Sequence, residues 1–110
     1  MKKVFILSIL LANGLFAFAQ VYVKGIQLSS ANTGNYFEVD PSFLTNGRCI
    51  FHADYGQSEP KEDYLTDTNG KRVDFRSLVD GLNFLYDNGW EVAQITVQAE
   101  RGRRFLLKRR

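Results

Sequence analysis

The apolar residues between positions 75 and 86 recur at intervals of three and four. That spacing places them along one side of an α-helix. The stripe consists of Phe75, Leu78, Val79, Leu82, Leu85 and Tyr86. Asp74 can accept hydrogen bonds from the first free amides, and Gly89 suits the left-handed residue that ends a helix. The pattern predicts a long helix from 75 to 88, followed by a strand whose first residue, Trp90, fills the junction with the sheet.

Alternating apolar and polar residues predict strands before this helix. The segments are 21–28, 36–39 and 48–55. In the last of these, Cys49, Phe51 and Ala53 share one face. Asp40-Pro41 is expected to end the second strand, and Asn46-Gly47 to form a turn. A further tight turn is predicted at residues 67–70, between two very short strands.

The last two strands form a predicted hairpin whose register follows from its apolar residues. Ile95 and Val97 share one face of their strand, and Phe105 and Leu107 share one face of theirs. A three-residue loop at 100–102 unites these sets by pairing Val97 with Phe105 and Ile95 with Leu107. It also places Gly102 where a type I turn with a bulge needs a positive φ.

Together these elements predict an α+β fold, an antiparallel sheet of four to six strands with one long helix packed on one face. Phe84 lies opposite the apolar stripe of that helix, beside Gly81, and glycine inside a helix suggests a close approach. The cover over this face is either the segment 22–39 or a second molecule, and we favour the segment of the same chain.

The first 19 residues have the layout of a secretory signal peptide. Lys2 and Lys3 precede an apolar run, and Ala17-Phe18-Ala19 is a cleavage pattern. Asn13-Gly14 interrupts the run, which is short for a membrane span. We therefore expect cleavage after Ala19, a single domain at 20–110, and a periplasmic or secreted protein without a membrane span.

Removal of this leader changes the charge balance. The chain has 14 Lys and Arg against 12 Asp and Glu, a net of +2. The leader contributes two lysines and no acid, so the remaining domain is formally neutral. Overall charge gives no reason to expect nucleic acid as a partner. Cys49 is the only cysteine, so the chain has no internal disulfide and must be stabilised by packing.

Basic residues concentrate at the C-terminus. They are Arg101, Arg103, Arg104, Lys108, Arg109 and Arg110. This end could bind an anionic envelope component such as lipid head groups or polysaccharide. The alternative, which we favour, is a solvated hairpin that keeps the last edge strand from pairing with other chains.

Catalytic chemistry has little support in the sequence. His52 and Asp54 lie on the same strand face and could form a histidine–carboxylate pair, but no nucleophile accompanies them. Cys49 points to the opposite face from His52, which argues against a dyad. The spacing of cysteine and histidine fits no zinc site, and no phosphate-binding loop is present, so no metal or cofactor is expected.

The segment from 48 to 110 resembles a family of small bacterial domains of unknown function. That family has a strand, a helix, Gly-Trp-Glu-Leu and a β-hairpin ending in basic residues. The matching residues here are Leu78, Leu82, Gly89, Trp90, Glu91, Val92, Phe105, Leu106, Leu107, Lys108 and Arg109. Val92 replaces the usual leucine, and residues 56–73 are inserted. The resemblance implies a fold and no activity.

Three hypotheses follow for function. The first is an exported, non-catalytic interaction or structural module, with an unknown protein or an anionic envelope component as partner. The second is a small hydrolase or enzyme accessory using His52 and Asp54. The third is an anion-binding surface protein using the basic hairpin. The candidate binding residues are Arg101, Arg103, Arg104, Phe84 and His52, and the sequence predicts no oligomeric state.

Overall fold

The computed structural model describes residues 21–58, 63–99 and 102–110, and the predicted leader lies outside them. The strands are β1 (Tyr22–Val23), β2 (Ile26–Gln27), β3 (Tyr36–Phe43), β4 (Cys49–Asp54), β5 (Leu65–Thr66), β6 (Trp90–Gln98) and β7 (Gly102–Arg109), and the described helix is α1 (Leu78–Asp87). They form two antiparallel sheets, with strand orders β2-β1-β5 and β4-β3-β7-β6. The α+β class is confirmed, but the strands form two sheets rather than one.

The helix is shorter than predicted and begins three residues later. Ser77, not Asp74, is its N-cap, and its hydroxyl accepts a hydrogen bond from the backbone of Asp80 at 3.1 Å. Phe75 is extended because its backbone exchanges two 2.8 Å hydrogen bonds with Cys49. The Asp74 carboxylate instead accepts a hydrogen bond from Arg72 at 2.8 Å. The ten-residue helix ends at Asp87 with Asn88 as its C-cap, within one residue of the predicted end, and Gly89 has a φ of 93°.

The buried side of α1 is also rotated from the predicted stripe. Leu85 and Gly81 are buried, whereas Val79 and Tyr86 are 63% and 50% exposed. Phe84, expected on the outer face, packs against Phe75 with ring centroids 5.3 Å apart. The cover is intrachain, as we favoured, but among the described contacts it comes from Phe75 and Phe51 rather than from residues 22–39.

The predicted first strand is a small hairpin. β1 and β2 pair through a two-residue turn in which Lys24 and Gly25 have φ values of 53° and 77°. Lysine adopts a positive φ at a cost, since its Cβ crowds the backbone. The Lys24 ammonium lies 2.7 Å from Oδ1 of Asp63, whose side chain is only 5% exposed.

The Asp63 carboxylate is held by partners that favour its charged form. Burial by itself raises the pKa of Asp63, but hydrogen bonding and the positive charge of Lys24, with the Gln57 amide, lower it below its usual value. Gln57 donates to Oδ2 at 2.8 Å, and Oδ1 has the Lys24 ammonium in place of a well-aligned hydrogen bond.

A lowered folded-state pKa means that Asp63 stabilises the fold above its unfolded pKa of about 3.9 and that this contribution is lost as pH falls through the folded value. We expect Asp63→Asn to reduce the free energy of unfolding at pH 7 by about 2 kcal/mol and to flatten its fall below pH 4. Urea denaturation at pH 7, 5, 4 and 3 measures both effects. Asp87→Asn, at an exposed position, is the control, and an equally steep acid limb in both variants would contradict the assignment.

β3 runs through the predicted break at Asp40-Pro41. Pro41 lies opposite Phe51 on β4, while the pairing of β3 with β7 ends at Val39. Beyond Val39 one edge of β3 is open, and an open edge tolerates a residue without an N–H group. The proline therefore extends the strand on one side instead of ending it.

The buried core takes its residues from both sheets and from α1. β4 has the predicted pattern, with Cys49, Phe51 and Ala53 buried. The turns at Asn46-Gly47 and at 67–70 are confirmed, and Gly70 donates to the carbonyl of Asp67 at 3.1 Å in the latter.

Trp90 opens β6 and is buried, as predicted. Its ring meets Phe37 edge-on, with centroids 4.7 Å apart, and the Arg109 guanidinium lies 4.5 Å from its centre.

The predicted register of the terminal hairpin is wrong by two residues. Ile95 pairs with Phe105, and Val97 pairs with Arg103. Gly102 has the expected positive φ of 79°, but it pairs with Gln98 as the first residue of β7. A shift of two residues preserves the face of every side chain, so Ile95 and Phe105 still share one side of the sheet.

Candidate functional site

The two outer strands of the four-stranded sheet differ in what lies beside them. The outer edge of β4 is covered by backbone pairing of Cys49 with Phe75 and by a hydrogen bond from Ala53 to the carbonyl of Asp63. Within the described parts of the chain, β6 pairs with β7 alone. Alternate N–H and C=O groups of a nine-residue strand therefore point outward from the sheet.

The exposed residues of β6 are largely apolar. Val92 is 39% exposed, Ile95 50% and Val97 74%. Glu91 is the only charged residue of the strand. Edge strands are commonly protected by lysine, proline, inward-pointing charge or a bulge, and β6 has only the last of these.

A bulge brings the three apolar side chains of β6 to one face. Val92 pairs with Leu107 and Gln94 with Leu106, which leaves Ala93 as an extra residue. Without it, the odd separation of Val92 and Ile95 would place them on opposite faces. With it, Val92, Ile95 and Val97 all lie on the side of the sheet that α1 covers.

One flank of α1 adds two apolar residues to this region. Gly81 and Phe84 face β4 and its neighbour Phe75. By helical geometry Val79 and Tyr86 lie on the other flank, which is the side of β6 because β4 and β6 are opposite edges of the sheet. We call Val79, Tyr86, Val92, Ile95 and Val97 the β6 edge surface.

Cationic groups lie at both ends of the β6 edge surface. Arg103, opposite Val97, is exposed, and its guanidinium lies 5.7 Å from the centre of the Phe105 ring. The Arg110 guanidinium lies 4.2 Å from the centre of the Tyr86 ring. The described residues of β6 and β7 place no carboxylate on this face.

Arg104, a predicted anion-binding residue, lies on the opposite face of the sheet. Its guanidinium donates to Asp40 at 3.0 and 3.3 Å and lies 3.6 Å from Glu38. The hydrogen bond to Asp40 raises the pKa of Arg104. Its charge is thus matched within the fold.

The remaining basic residues divide between internal contacts and solvent. Arg109 donates to the carbonyl of Gly34 at 2.8 Å besides lying over Trp90. Lys108 is exposed. Arg101 lies outside the described residues.

His52 and Asp54 share the outer face of β4, as predicted. The His52 ring lies 4.6 Å from that of Tyr64, with which it forms an isolated bridge. The Asp54 carboxylate accepts a hydrogen bond from the backbone of Gly56 at 3.0 Å. Their pairing partners are Asp40 and Glu38, two further carboxylates that interact with Arg104.

The remaining candidate for chemistry, the thiol of Cys49, lies inside the fold. Cys49 is buried, and burial raises the pKa of its thiol. The described residues contain no group of three or more His, Cys, Asp or Glu placed to hold a metal ion. No described helix is long and apolar enough to cross a membrane.

None of the protein-family models, curated proteins or solved structures compared with this chain matches it. The resemblance to small bacterial domains therefore remains a prediction from the residues alone.

The β6 edge surface was not predicted from the sequence, because alternation placed Ile95 and Val97 on one face without showing whether another element covers that face. One signal was present. Val92 and Ile95 are three apart in a strand that begins at Trp90, so a regular strand cannot bury both. That conflict indicates either a bulge or an exposed apolar residue, and the structure has both.

Proposed function

We propose that this protein is an exported, non-catalytic interaction module. The observation that carries the proposal is the β6 edge surface, where a strand edge without a partner among the described residues meets exposed apolar side chains. Natural proteins protect long apolar edge strands unless a partner covers them. Export is supported by the leader pattern of residues 1–19.

The contacts of the polar residues give further support. Arg104, Arg109 and Asp54 each have a partner within the fold. His52 packs against Tyr64, and Cys49 is buried. A catalytic group needs a reacting atom within reach of a positioned nucleophile or base, and these contacts instead hold each side chain against other parts of the fold.

Export is tested by the mass of the chain. Expressed at full length in a bacterial host, the protein is expected in the periplasm or medium with residues 1–19 removed. Intact mass spectrometry of each fraction measures this. Lys2→Glu with Lys3→Glu, which reverses the charge before the apolar run, is expected to leave the full-length chain in the cell. Retention of the wild-type leader would contradict the proposal.

The non-catalytic role is tested with ester, phosphomonoester, glycoside and peptide substrates. We expect turnover by the wild type to equal that of His52→Ala and Asp54→Asn, and all three to equal buffer. A rate that the wild type shows and His52→Ala loses would overturn the proposal and establish the hydrolase alternative.

A further inference from the structure

We propose that the β6 edge surface binds an extended segment of another protein by strand addition, with apolar side chains at alternate positions of that segment and carboxylates beside them. This inference rests on the proposed interaction role and names the partner's chemistry.

The backbone of β6 supplies the first part of the site. Strand addition uses the outward N–H and C=O groups of an edge strand, and nine residues span about 30 Å. The other outer strand of this sheet, β4, already has partners at its edge. As far as the described residues show, one long edge of the four-stranded sheet therefore remains for an added strand.

The exposed side chains supply the second part. Side chains of an added strand point alternately to the two faces of the sheet. On the helix side they would lie beside Val92, Ile95 and Val97 and below the flank of α1 that contains Val79 and Tyr86. On the other side they would meet the polar Gln94 and Thr96. Residues at every second position of the partner are thus expected to be apolar.

The charges beside this surface favour a different protein, rather than a second copy of this chain, as the partner. Arg103 and Arg110 flank the β6 edge surface, and the described residues of β6 and β7 offer them no carboxylate on that face. On that face, the described residues of β6 and β7 from two copies joined edge to edge would contribute apolar and cationic groups but no carboxylate. An added strand with aspartate or glutamate next to its apolar residues supplies the missing opposite charge.

The specificity is tested by selection from a phage library of random nine-residue peptides, with the full chain as bait. The comparison bait carries Ile95→Lys and Val97→Lys. Both residues are at least half exposed, so this variant is expected to fold. Gln94→Lys, exposed on the opposite face of the same strand, is the matched control. We expect enriched peptides to alternate apolar residues, to contain acids, and to bind the double variant about tenfold or more weakly.

Strand addition is then distinguished from simple apolar contact with one enriched peptide synthesised in two N-methylated forms. Methylation of alternate amides blocks hydrogen bonding along one edge of the peptide only. One form is expected to lose binding in fluorescence polarisation, and the other to retain it.

Four results would overturn the proposal. They are no enrichment over the double variant, enrichment of basic or non-alternating peptides, equal binding by the two methylated forms, and sedimentation of the wild type as a dimer that Ile95→Lys dissociates. The last result would assign the edge to a second copy. None of these results contradicts the exported, non-catalytic role itself. That role would be contradicted by His52-dependent turnover or by retention of the leader.

Discussion

Replacing Trp90 with alanine is expected to lower the free energy of unfolding by about 4 kcal/mol. The indole is 2% exposed, and it contacts the edge of Phe37 and the guanidinium of Arg109. It also begins β6 directly after the turn at Gly89, so its loss opens a cavity where α1 meets the sheet. A domain of about 90 residues has a total stability of about 5–13 kcal/mol, which makes this loss a large share.

Urea denaturation followed by far-UV circular dichroism measures the effect, since the variant lacks the only tryptophan. Trp90→Phe should retain part of the packing and lose less. Val97→Ala, at a 74% exposed position of the same strand, should change stability by less than about 0.5 kcal/mol. If Trp90→Ala and Val97→Ala unfolded at similar urea concentrations, the indole would not seal the core.

Replacing Gly81 with valine is expected to destabilise the fold by about 3 kcal/mol. A Cβ at this position would lie 2.5 Å from Cζ of Phe51 and 3.1 Å from Cδ2 of Phe75. Phe51 is completely buried and packs against Phe75, so its ring can move aside only by displacing other core residues. Glycine normally costs a helix about 1 kcal/mol relative to alanine, and here the close packing of α1 on β4 explains why it is present.

The matched control is Asn83→Val, at an exposed position of the same helix. Asparagine and valine have similar helix propensities, so this change should have little effect on the midpoint of thermal unfolding. Gly81→Ala should lie between the two, because the propensity gain opposes the steric cost. A Gly81→Val protein as stable as Asn83→Val would show that α1 does not approach β4 this closely.

The contrast between the two flanks of α1 shows where prediction from the sequence fails. One flank carries Val79 and Tyr86, which are seven residues apart and so lie on the same side of the helix. The other flank carries Phe84. The first flank has more apolar residues, so the sequence pattern predicts that this flank is buried. The structure buries the second, because Gly81 lets the helix backbone approach Phe51 and because Phe75 leaves the helix to pair with Cys49. Both causes lie in contacts between residues far apart in the chain.

The candidate site was missed for a related reason. Alternation shows that Ile95 and Val97 share a face, and the structure agrees. Alternation says nothing about whether another element covers that face. A ten-residue helix extends about 15 Å and a nine-residue strand about 30 Å, so α1 is too short to cover the whole length of β6.

The sequence by itself determined the features that depend on neighbouring residues. The turns at Asn46-Gly47 and 67–70, the helix end at Gly89, the buried face of β4 and the shared face of Ile95 and Phe105 all follow from local backbone sterics and the period of a strand. Only the tertiary structure decided which flank of α1 is buried, where β3 ends, how the hairpin is registered and which strand edge stays open. Those features depend on the lengths and distances of elements packed from separate parts of the chain, and no local pattern encodes them.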